Sequence, residues 1–203
     1  VTGETARAAN WGLDGYERDT TPQLRQADVI NFSEATSCGT STDQSVPCMY
    51  SRIGRRNYSR DRILAEEPVG ALLARAGVRV RWVENQGGCK GACTGIETVN
   101  ASDRLTPQER GSLCASGLCL DEALLPFVKP EEAPARPGTV SVIFLHMSGS
   151  HGPAYAKRYP SSFEHWGPVC RNANLSNCDP KELRNAYDNS ILYTDHVLST
   201  LIA

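Results

Sequence analysis

A threonine between two closely spaced cysteines is the most chemically suggestive feature of this sequence. Thr42 ends the segment Ser37-Cys38-Gly39-Thr40-Ser41-Thr42, and Cys48 follows six residues later. A turn of small residues that opens a helix leaves backbone N–H groups without intrahelical partners, and such a helix start can seat a phosphate. A hydroxyl there could attack phosphorus if its pKa were lowered. The alternative is a disulfide-closed helix cap, with Thr42 or Ser41 as the N-cap residue.

Two further residues are of the types that hold a metal ion for this purpose. Glu4 lies in Gly3-Glu4-Thr5, and His151 lies in the glycine-containing segment 149–153. Carboxylate oxygens and imidazole nitrogens are zinc ligands, and a bound metal ion favours the ionised form of a hydroxyl. The alternative for Glu4 is a charge on a frayed N-terminal end, and for His146, at the end of a predicted strand, it is a hydrogen-bonded structural histidine.

The elements that must position these residues alternate between strand and helix. The hydrophobic patterns predict the end of a strand at residues 1–2 and three further strands at 27–32, 78–83 and 139–147. They predict helices at 42–51, 61–76, 120–128 and 180–203, with Pro68 splitting the second and Asp179 capping the last. Residues 129–138, rich in proline and glutamate, predict an exposed linker.

This alternation predicts an α/β fold with a largely parallel sheet. Ligands bind such sheets beyond the carboxyl ends of the strands. Glu4, Thr42, residues 85–90 and residues 146–151 each follow a predicted strand. We therefore expect these four segments to meet at one edge of the sheet.

Composition narrows the class of protein. The 203 residues are 40% hydrophobic and 22% charged, which is ordinary for a globular domain, and the net charge of −2 gives no reason to expect nucleic-acid binding. No segment approaches the roughly 20 apolar residues of a membrane-spanning helix. The sequence opens without methionine, and we expect it to be part of a longer protein.

Eight cysteines fall into four close pairs, and local disulfides are the most economical pairing. The pairs are Cys38/Cys48, Cys89/Cys93, Cys114/Cys119 and Cys170/Cys178. Disulfides imply an oxidising compartment such as the periplasm or the cell exterior. Because such short bridges pin surface loops, we expect all eight cysteines to hold loops whose shape matters. The alternative is zinc bound by cysteine, but only Cys89/Cys93 comes near the spacing of such sites.

Taken together, these motifs resemble the lipid A phosphoethanolamine transferases, of the EptA and mobile colistin-resistance type, in the sulfatase/alkaline-phosphatase superfamily. The resemblance runs from end to end of the chain. The matching stretches are 3–11 with 15–16 and 20–22, 37–42 through 45–50, 88–93, 146–153 with 158–160, and 187–195.

The resemblance implies a fold and a set of residue roles. It implies an α/β/α sandwich in which residues 1–203 form the N-terminal part of a single catalytic domain. Thr42 would be the nucleophile, with its oxygen also on zinc, and Glu4 would be a zinc ligand. Gln86 and Lys90 would line the pocket for the transferred phosphoethanolamine. His146 and His151 would bind the transferred phosphate or a second metal.

The resemblance also implies a reaction and a location. Phosphoethanolamine would pass from phosphatidylethanolamine to lipid A through a covalent intermediate on Thr42, which confers resistance to polymyxins such as colistin. The enzyme would be a membrane-anchored monomer, with its catalytic domain in the periplasm at the inner membrane and no nucleic-acid partner.

One departure from the family pattern matters for activity. The family takes two more zinc ligands from an Asp-His pair in a Ser-Asp-His-Gly-Glu stretch, and this chain has no such stretch. Asp195-His196 is a weak candidate because it lies in the predicted last helix. The family's transmembrane block and the later part of its catalytic domain are also missing from these residues, so we expect this chain alone to be inactive.

Two other functions remain open from the sequence. A metal-dependent hydrolase of the same superfamily, a sulfatase or phosphatase, would share the fold, but the Cys-x-Pro-x-Arg setting of sulfatase nucleophiles is not present. A non-enzymatic, disulfide-stapled extracellular binding module would hold no metal and would tolerate replacement of Thr42.

Overall fold

A computed structural model describes residues 1–115, 117–128 and 140–203. The chain forms two compact units. The first unit comprises Val1–Thr2, Ala35–Ser112 and Ala123–Met147, and the second comprises the remaining segments, Gly3–Glu34, Leu113–Glu122 and Ser148–Ala203. The predicted linker at 129–138 lies outside the described residues.

The described residues contain six α-helices and five strands. The helices are α1 (Pro22–Gln26), α2 (Thr42–Met49), α3 (Arg60–Ala65), α4 (Val69–Arg75), α5 (Pro107–Leu113) and α6 (Pro180–Ile202). The strands are β1 (Arg79–Glu84), β2 (Glu97–Asn100), β3 (Cys114–Ala115), β4 (Leu118–Cys119) and β5 (Ser141–His146). Short 3-10 helices lie at Ala8–Asn10, Gly12–Asp14, Ala101–Arg104, Asp121–Val128, Tyr155–Lys157, Ser161–Phe163 and Leu175–Asn177.

The sheet of the first unit is parallel, as the sequence predicts. Its strand order is β2-β1-β5, and Trp82 in β1 pairs with Thr98 in β2 and Phe144 in β5. Thr2 forms a parallel bridge with His146, accepting from the Met147 amide at 2.9 Å and donating its own amide to the Leu145 carbonyl at 2.7 Å. The predicted strand end at residues 1–2 is therefore present as a bridge.

The core of the first unit fastens α2 to this sheet. Val46 of α2 packs with buried Trp82 and Ala92, while Tyr50, just after α2, meets the Trp82 and Phe144 rings edge-on at 5.2 and 5.1 Å. Burial of one such apolar side chain contributes roughly 1.5–3 kcal/mol. This packing fixes α2, which begins at Thr42, against the sheet.

The predicted strand at 27–32 is wrong. These residues form no strand, and the side chains of Ile30 and Phe32 are 83% and 77% exposed. Asp28 also has a φ of 50°, which no strand residue adopts. An apolar run becomes a strand only where a neighbour takes its backbone hydrogen bonds, and no ladder forms here. Thr42 therefore does not follow a strand.

The other local predictions hold with small shifts of boundary. The helix predicted at 61–76 is split at Pro68 into α3 and α4, and Gly77 follows α4 with a φ of 87°, as a C-terminal glycine should. The helix predicted at 120–128 is a 3-10 helix. The region 85–119 contains β2, α5, β3 and β4 in addition to the predicted loops.

Helix α6 organises the second unit through buried polar side chains. Asp179 caps its start by accepting from the Lys181 amide at 2.7 Å. Asp188, fully buried, accepts from Asn10, Tyr16 and Arg18 at 2.7 to 2.9 Å. Buried polar groups are almost always hydrogen-bonded in folded proteins. Because its partners lie in the segment 10–18, Asp188 fixes that segment against α6.

All four predicted disulfides are present, and no cysteine is free. The alternative of zinc bound by cysteine is thereby excluded for these eight residues. Among the described helices, none combines the length and apolar character needed to cross a bilayer.

The Cys170–Cys178 disulfide closes the loop before α6, as the spacing of the two cysteines predicts. The pairing itself is confirmed. Beyond that bond, the Cys178 sulfur approaches the carbonyls of Asn172 and Asn174, at 3.8 and 3.9 Å, within the same loop. The disulfide and these contacts therefore hold the loop that precedes α6.

Asp195 joins α6 to the start of α1 and offers a stability test. Its two carboxylate oxygens accept from the Gln23 and Leu24 amides, each at 2.9 Å. Burial raises the pKa of Asp195, and the two amide donors oppose that rise. An Asp195→Asn change would turn an NH₂ group towards one of these donors.

We expect Asp195→Asn to lower the free energy of unfolding by about 1–3 kcal/mol, the cost of an unsatisfied buried donor. Urea denaturation measures this loss. Asp19→Asn is the matched control, because the Asp19 side chain is 58% exposed. Equal stability of the two variants would contradict this role for Asp195.

Candidate active site

Thr42 is the first residue of α2, not its cap. Ser41 occupies the N-cap position with extended backbone, and its carbonyl accepts from the amides of Gln44 and Ser45 at 3.2 and 2.9 Å. Thr42 is half-buried, so its hydroxyl belongs to a helix start that is partly accessible. The Cys38–Cys48 disulfide ties the preceding loop to the last turn of the same helix.

The packing of α2 relates Thr42 to the loop after β1. Thr42 and Val46 are four residues apart and therefore share one face of the helix. Val46 packs in the cluster that contains Ala92 and the Cys89–Cys93 disulfide. Thr42 therefore lies one helical turn from the contact between α2 and the loop that carries Lys90.

Glu84 is the centre of the hydrogen bonding at the end of β1. Its Oε2 accepts from Trp82 Nε1 at 2.9 Å and lies 3.0 Å from His146 Nδ1. Its Oε1 accepts from the amides of Gln86 and Gly87 at 2.7 and 3.0 Å. Burial opposes ionisation, but the hydrogen bonds from His146, Trp82 and the backbone outweigh it and lower the pKa of Glu84 to about 2.

The candidate phosphate-binding residues of the first unit surround this carboxylate. His146 is fully buried, and its Nε2 has no hydrogen-bond partner among the described residues. Gln86 Oε1 is likewise buried and unpartnered within the described part of the chain. Lys90 is exposed, has a φ of 53°, and donates from Nζ to the Gly87 carbonyl at 2.6 Å. Glu84 therefore connects Gln86, His146 and the base of the Lys90 loop.

The backbone of Glu4 lies against the loop that carries His151 in the second unit. The Ser150 amide donates to the Glu4 carbonyl at 3.0 Å. Gly149 has a φ of 50°, and a Cβ there would lie 2.7 Å from the same carbonyl, so only glycine fits this approach. His151 Nδ1 lies 2.7 Å from the Gly152 carbonyl, which can only accept. In the neutral ring of His151 the hydrogen is therefore on Nδ1, and Nε2 carries the lone pair.

Two residues without a predicted role hold this loop in place. Asp121 accepts from the Ser148 and Gly149 amides, both at 2.7 Å. Arg158 donates from Nε to the His151 carbonyl at 2.8 Å and from a terminal nitrogen to Ser148 Oγ at 2.5 Å. Burial lowers the pKa of Arg158, and the charges of Asp121 and Glu4 oppose that shift.

The structure thus sorts the predicted site residues into two groups. The first unit holds Thr42 and the set around Glu84, and the second holds Glu4 and His151. Sequence analysis missed Glu84, although a carboxylate at the end of a buried strand beside a glycine-rich loop was an available signal. Asp121 carried no comparable signal, because it is distant in sequence from the loop that it holds.

Metal-binding geometry is limited within the described residues. No group of three His, Cys, Asp or Glu side chains among them is placed to hold a metal ion. Asp195 is committed to the α1 amides, and His196 lies 3.5 Å from Glu122 and 3.4 Å from Gln23. The weak candidacy of Asp195-His196 as ligands therefore has no support from these contacts.

Comparison with known proteins identifies the family. The family model described as Sulfatase matches residues 1–203. The chain belongs to the sulfatase family. Membership accounts for the parallel sheet and confirms the resemblance on which the sequence analysis relied.

Alignments with individual relatives cover the full length of this chain. It is 40% identical over 202 residues to phosphoethanolamine transferase EptA of Salmonella typhimurium, and 40% identical over 206 residues to phosphatidylethanolamine transferase Mcr-1 of Escherichia coli. These matches take in 100% of this chain but only 36% and 38% of those proteins. The chain therefore spans little more than a third of the curated relatives it matches.

Solved structures of related proteins show the same fold. Lipooligosaccharide phosphoethanolamine transferase A, an integral membrane protein of Neisseria meningitidis, matches with a TM-score of 0.89 and 38% identity over 99% of this chain and 37% of that one. The C-terminal periplasmic domain of EptC from Campylobacter jejuni matches with a TM-score of 0.79 and 39% identity over 99% of this chain and 60% of that one. The predicted α/β fold is confirmed.

Proposed function

We propose that this chain is part of the catalytic domain of a phosphoethanolamine transferase. The observation that carries the proposal is Thr42 at the first position of a helix fixed by a disulfide and by packing against the Lys90 loop. The names of the relatives, EptA and Mcr-1, support the same class of reaction. The acceptor in this proposal is lipid A, and the donor is phosphatidylethanolamine.

The reaction takes two displacements at phosphorus. Thr42 Oγ1 attacks the phosphorus of phosphatidylethanolamine, the bond to the glycerol oxygen breaks, and diacylglycerol leaves with a proton. Phosphoethanolamine is then esterified to Thr42. An oxygen of a lipid A phosphate attacks the same phosphorus, and Thr42 leaves as its hydroxyl. Splitting the transfer in this way lets one site serve two lipids in turn.

The surrounding side chains bind the phosphoryl group in this scheme. Lys90 supplies a positive charge beside the helix start, and Gln86 supplies a hydrogen-bonding amide. His146, oriented by Glu84, donates from Nε2 to a phosphoryl oxygen when its ring is doubly protonated, and His151 binds the same group or a second metal. Such preorganised donors favour the transition state, in which charge spreads over the phosphoryl oxygens.

Zinc is the metal that we propose for this site. The Glu4 carboxylate and the Thr42 hydroxyl are oxygen donors of the kind that zinc accepts, and they would supply two of its usual four ligands. When bound, zinc would lower the pKa of the Thr42 hydroxyl and offset phosphoryl charge. We expect chelation to abolish transfer by the full-length protein and added zinc to restore it, and activity that survives complete metal removal would refute the proposal.

The proposed location is the periplasmic face of the bacterial inner membrane. One structural relative is an integral membrane protein, and another is a periplasmic domain. Four disulfides agree with an oxidising compartment. Added phosphoethanolamine brings a positive charge to lipid A, which would weaken the binding of cationic polymyxins and so confer resistance to colistin.

A product assay tests the function. The full-length protein is incubated with phosphatidylethanolamine and lipid A, and diacylglycerol and modified lipid A are measured by mass spectrometry. We expect the two products in equal amounts. Release of free phosphoethanolamine instead would identify a hydrolase, the alternative that the family also contains.

A further inference from the structure

A groove in the second unit lies against the backbone next to Glu4. Its lining includes Thr5, Arg7, Tyr155, Leu183 and Tyr187, and its volume is about 310 Å³. That is the lower end of the range for small-molecule sites, roughly 300–1,000 Å³. We call it the Tyr155–Tyr187 groove. A groove of this size can hold one sugar ring with a phosphate, while the rest of a larger ligand remains outside it.

The floor of the groove is aromatic with polar edges. The rings of Tyr155 and Tyr187 meet edge-to-face with centroids 5.3 Å apart. The Tyr187 hydroxyl donates to the Thr5 carbonyl at 2.6 Å and accepts from the Arg7 amide at 3.0 Å. The Tyr155 hydroxyl makes no hydrogen bond within the described residues. Tyr187 is buried and Tyr155 is half-exposed, so a carbon face of a pyranose ring can pack on Tyr155 while its hydroxyls reach the polar edges.

Arg7 gives the groove a positive charge that no carboxylate offsets. Its guanidinium lies 5.4 Å from the centre of the Tyr187 ring and donates to the neutral side chain of Asn10, from Nε at 3.0 Å. In the described part of the chain no carboxylate lies within 4.0 Å of it. Arg184, also in the lining, differs because it pairs with Glu17 and lies 3.8 Å from Asp188. Arg7 is therefore the cation that remains for an anionic ligand.

Thr5 connects the groove to the candidate metal ligand. Its hydroxyl donates to Glu4 Oε1 at 2.6 Å, and its backbone has a φ of 57°, an uncommon conformation for threonine. Its carbonyl accepts from Tyr187. A ligand that contacts Thr5 in the groove therefore lies next to the residue that carries the Glu4 carboxylate.

We propose that the Tyr155–Tyr187 groove binds the acceptor, a phosphorylated sugar, with its ring on Tyr155 and its phosphate on Arg7. This inference rests on the proposed function, because it gives the second displacement its acceptor subsite. An aromatic floor and one uncompensated cation match a sugar phosphate in shape and charge. The zwitterionic headgroup of the donor lacks the ring that the floor would contact.

Kinetics of the full-length protein test this assignment. We expect Arg7→Gln to raise the KM for the acceptor about tenfold, the effect of losing one charged hydrogen bond, with kcat changed less than twofold. Arg7→Lys should recover part of the loss. Arg171→Gln is the matched control, because Arg171 is an exposed arginine paired with Glu164 away from the groove. An unchanged acceptor KM in Arg7→Gln, or an equal rise in the control, overturns the assignment.

A binding measurement separates this inference from the proposed function. A monophosphorylated glucosamine disaccharide without acyl chains is titrated into the full-length protein in detergent by calorimetry. We expect the Kd to be about tenfold weaker in Arg7→Gln than in the wild type. No binding to the wild type, or equal binding to both, overturns the groove assignment. A failure of the wild type to release diacylglycerol from phosphatidylethanolamine overturns the proposed function, whatever the titration shows.

Discussion

Replacing Thr42 by alanine should reduce phosphoethanolamine transfer by the full-length protein by at least about three orders of magnitude. The hydroxyl is the proposed attacking group, and removal of a catalytic nucleophile typically costs this much or more. The fold should survive, because Thr42 is half-buried at the first position of α2 and does not cap the helix. Transfer is measured by mass spectrometry of lipid A, and stability by urea denaturation.

Thr40→Ala is the matched control for this prediction. Thr40 lies two residues away in the same disulfide-closed segment. It is exposed and precedes the helix. We expect it to retain at least half of the wild-type rate. Thr42→Ser, which keeps a hydroxyl, should retain measurable transfer. Near-normal transfer by Thr42→Ala would rule out Thr42 as the nucleophile.

Replacing Glu84 by glutamine should have the largest effect on stability. The carboxylate accepts from Trp82 and from the Gln86 and Gly87 amides and lies against His146 Nδ1. The NH₂ group of glutamine would face some of these donors. A pKa lowered from 4.5 to about 2 corresponds to about 3 kcal/mol of stabilisation of the ionised form, and we expect a loss of that order at pH 7.

The same shift predicts how stability depends on pH. The folded-state pKa of Glu84 lies below its unfolded value, so its contribution is complete above about pH 5 and is lost as the pH falls towards 2. The difference in unfolding free energy between wild type and Glu84→Gln should therefore shrink over this range. Trp82 fluorescence during denaturation reports on the same site.

Glu67→Gln is the control for Glu84. Glu67 pairs with Arg75 at the surface, where both side chains are well exposed, and exposed pairs contribute about 0–1 kcal/mol. Its replacement should leave the pH profile of stability unchanged. Equal stability of Glu84→Gln and this control at pH 7 would show that the hydrogen bonds around Glu84 do not stabilise the fold.

Local sequence signals predicted the parts of the fold that local interactions determine. Helix α6 begins where Asp179 and Pro180 predict it, and Pro68 separates α3 from α4 because proline lacks the amide that a continuous helix requires. The four disulfides join cysteines that are close in sequence. Each of these features depends on residues within a few positions of one another.

The errors concern features that depend on distant partners. Residues 27–32 and 97–100 are both short segments, but only the second finds a strand, β1, to pair with. Glu84 contacts His146 across 62 positions of sequence, and Asp121 contacts the Ser148 amide across 27. No periodicity encodes such contacts, so the residues that orient the candidate site emerged only from the structure.

Identification of the covalent intermediate is the most direct test of whether Thr42 is the nucleophile. The full-length protein is incubated with phosphatidylethanolamine in the absence of lipid A, digested, and analysed by peptide mass spectrometry. We expect one phosphoethanolamine group, attached to Thr42, that disappears when lipid A is added. Diacylglycerol release without any adduct, or an adduct on another residue, would contradict it.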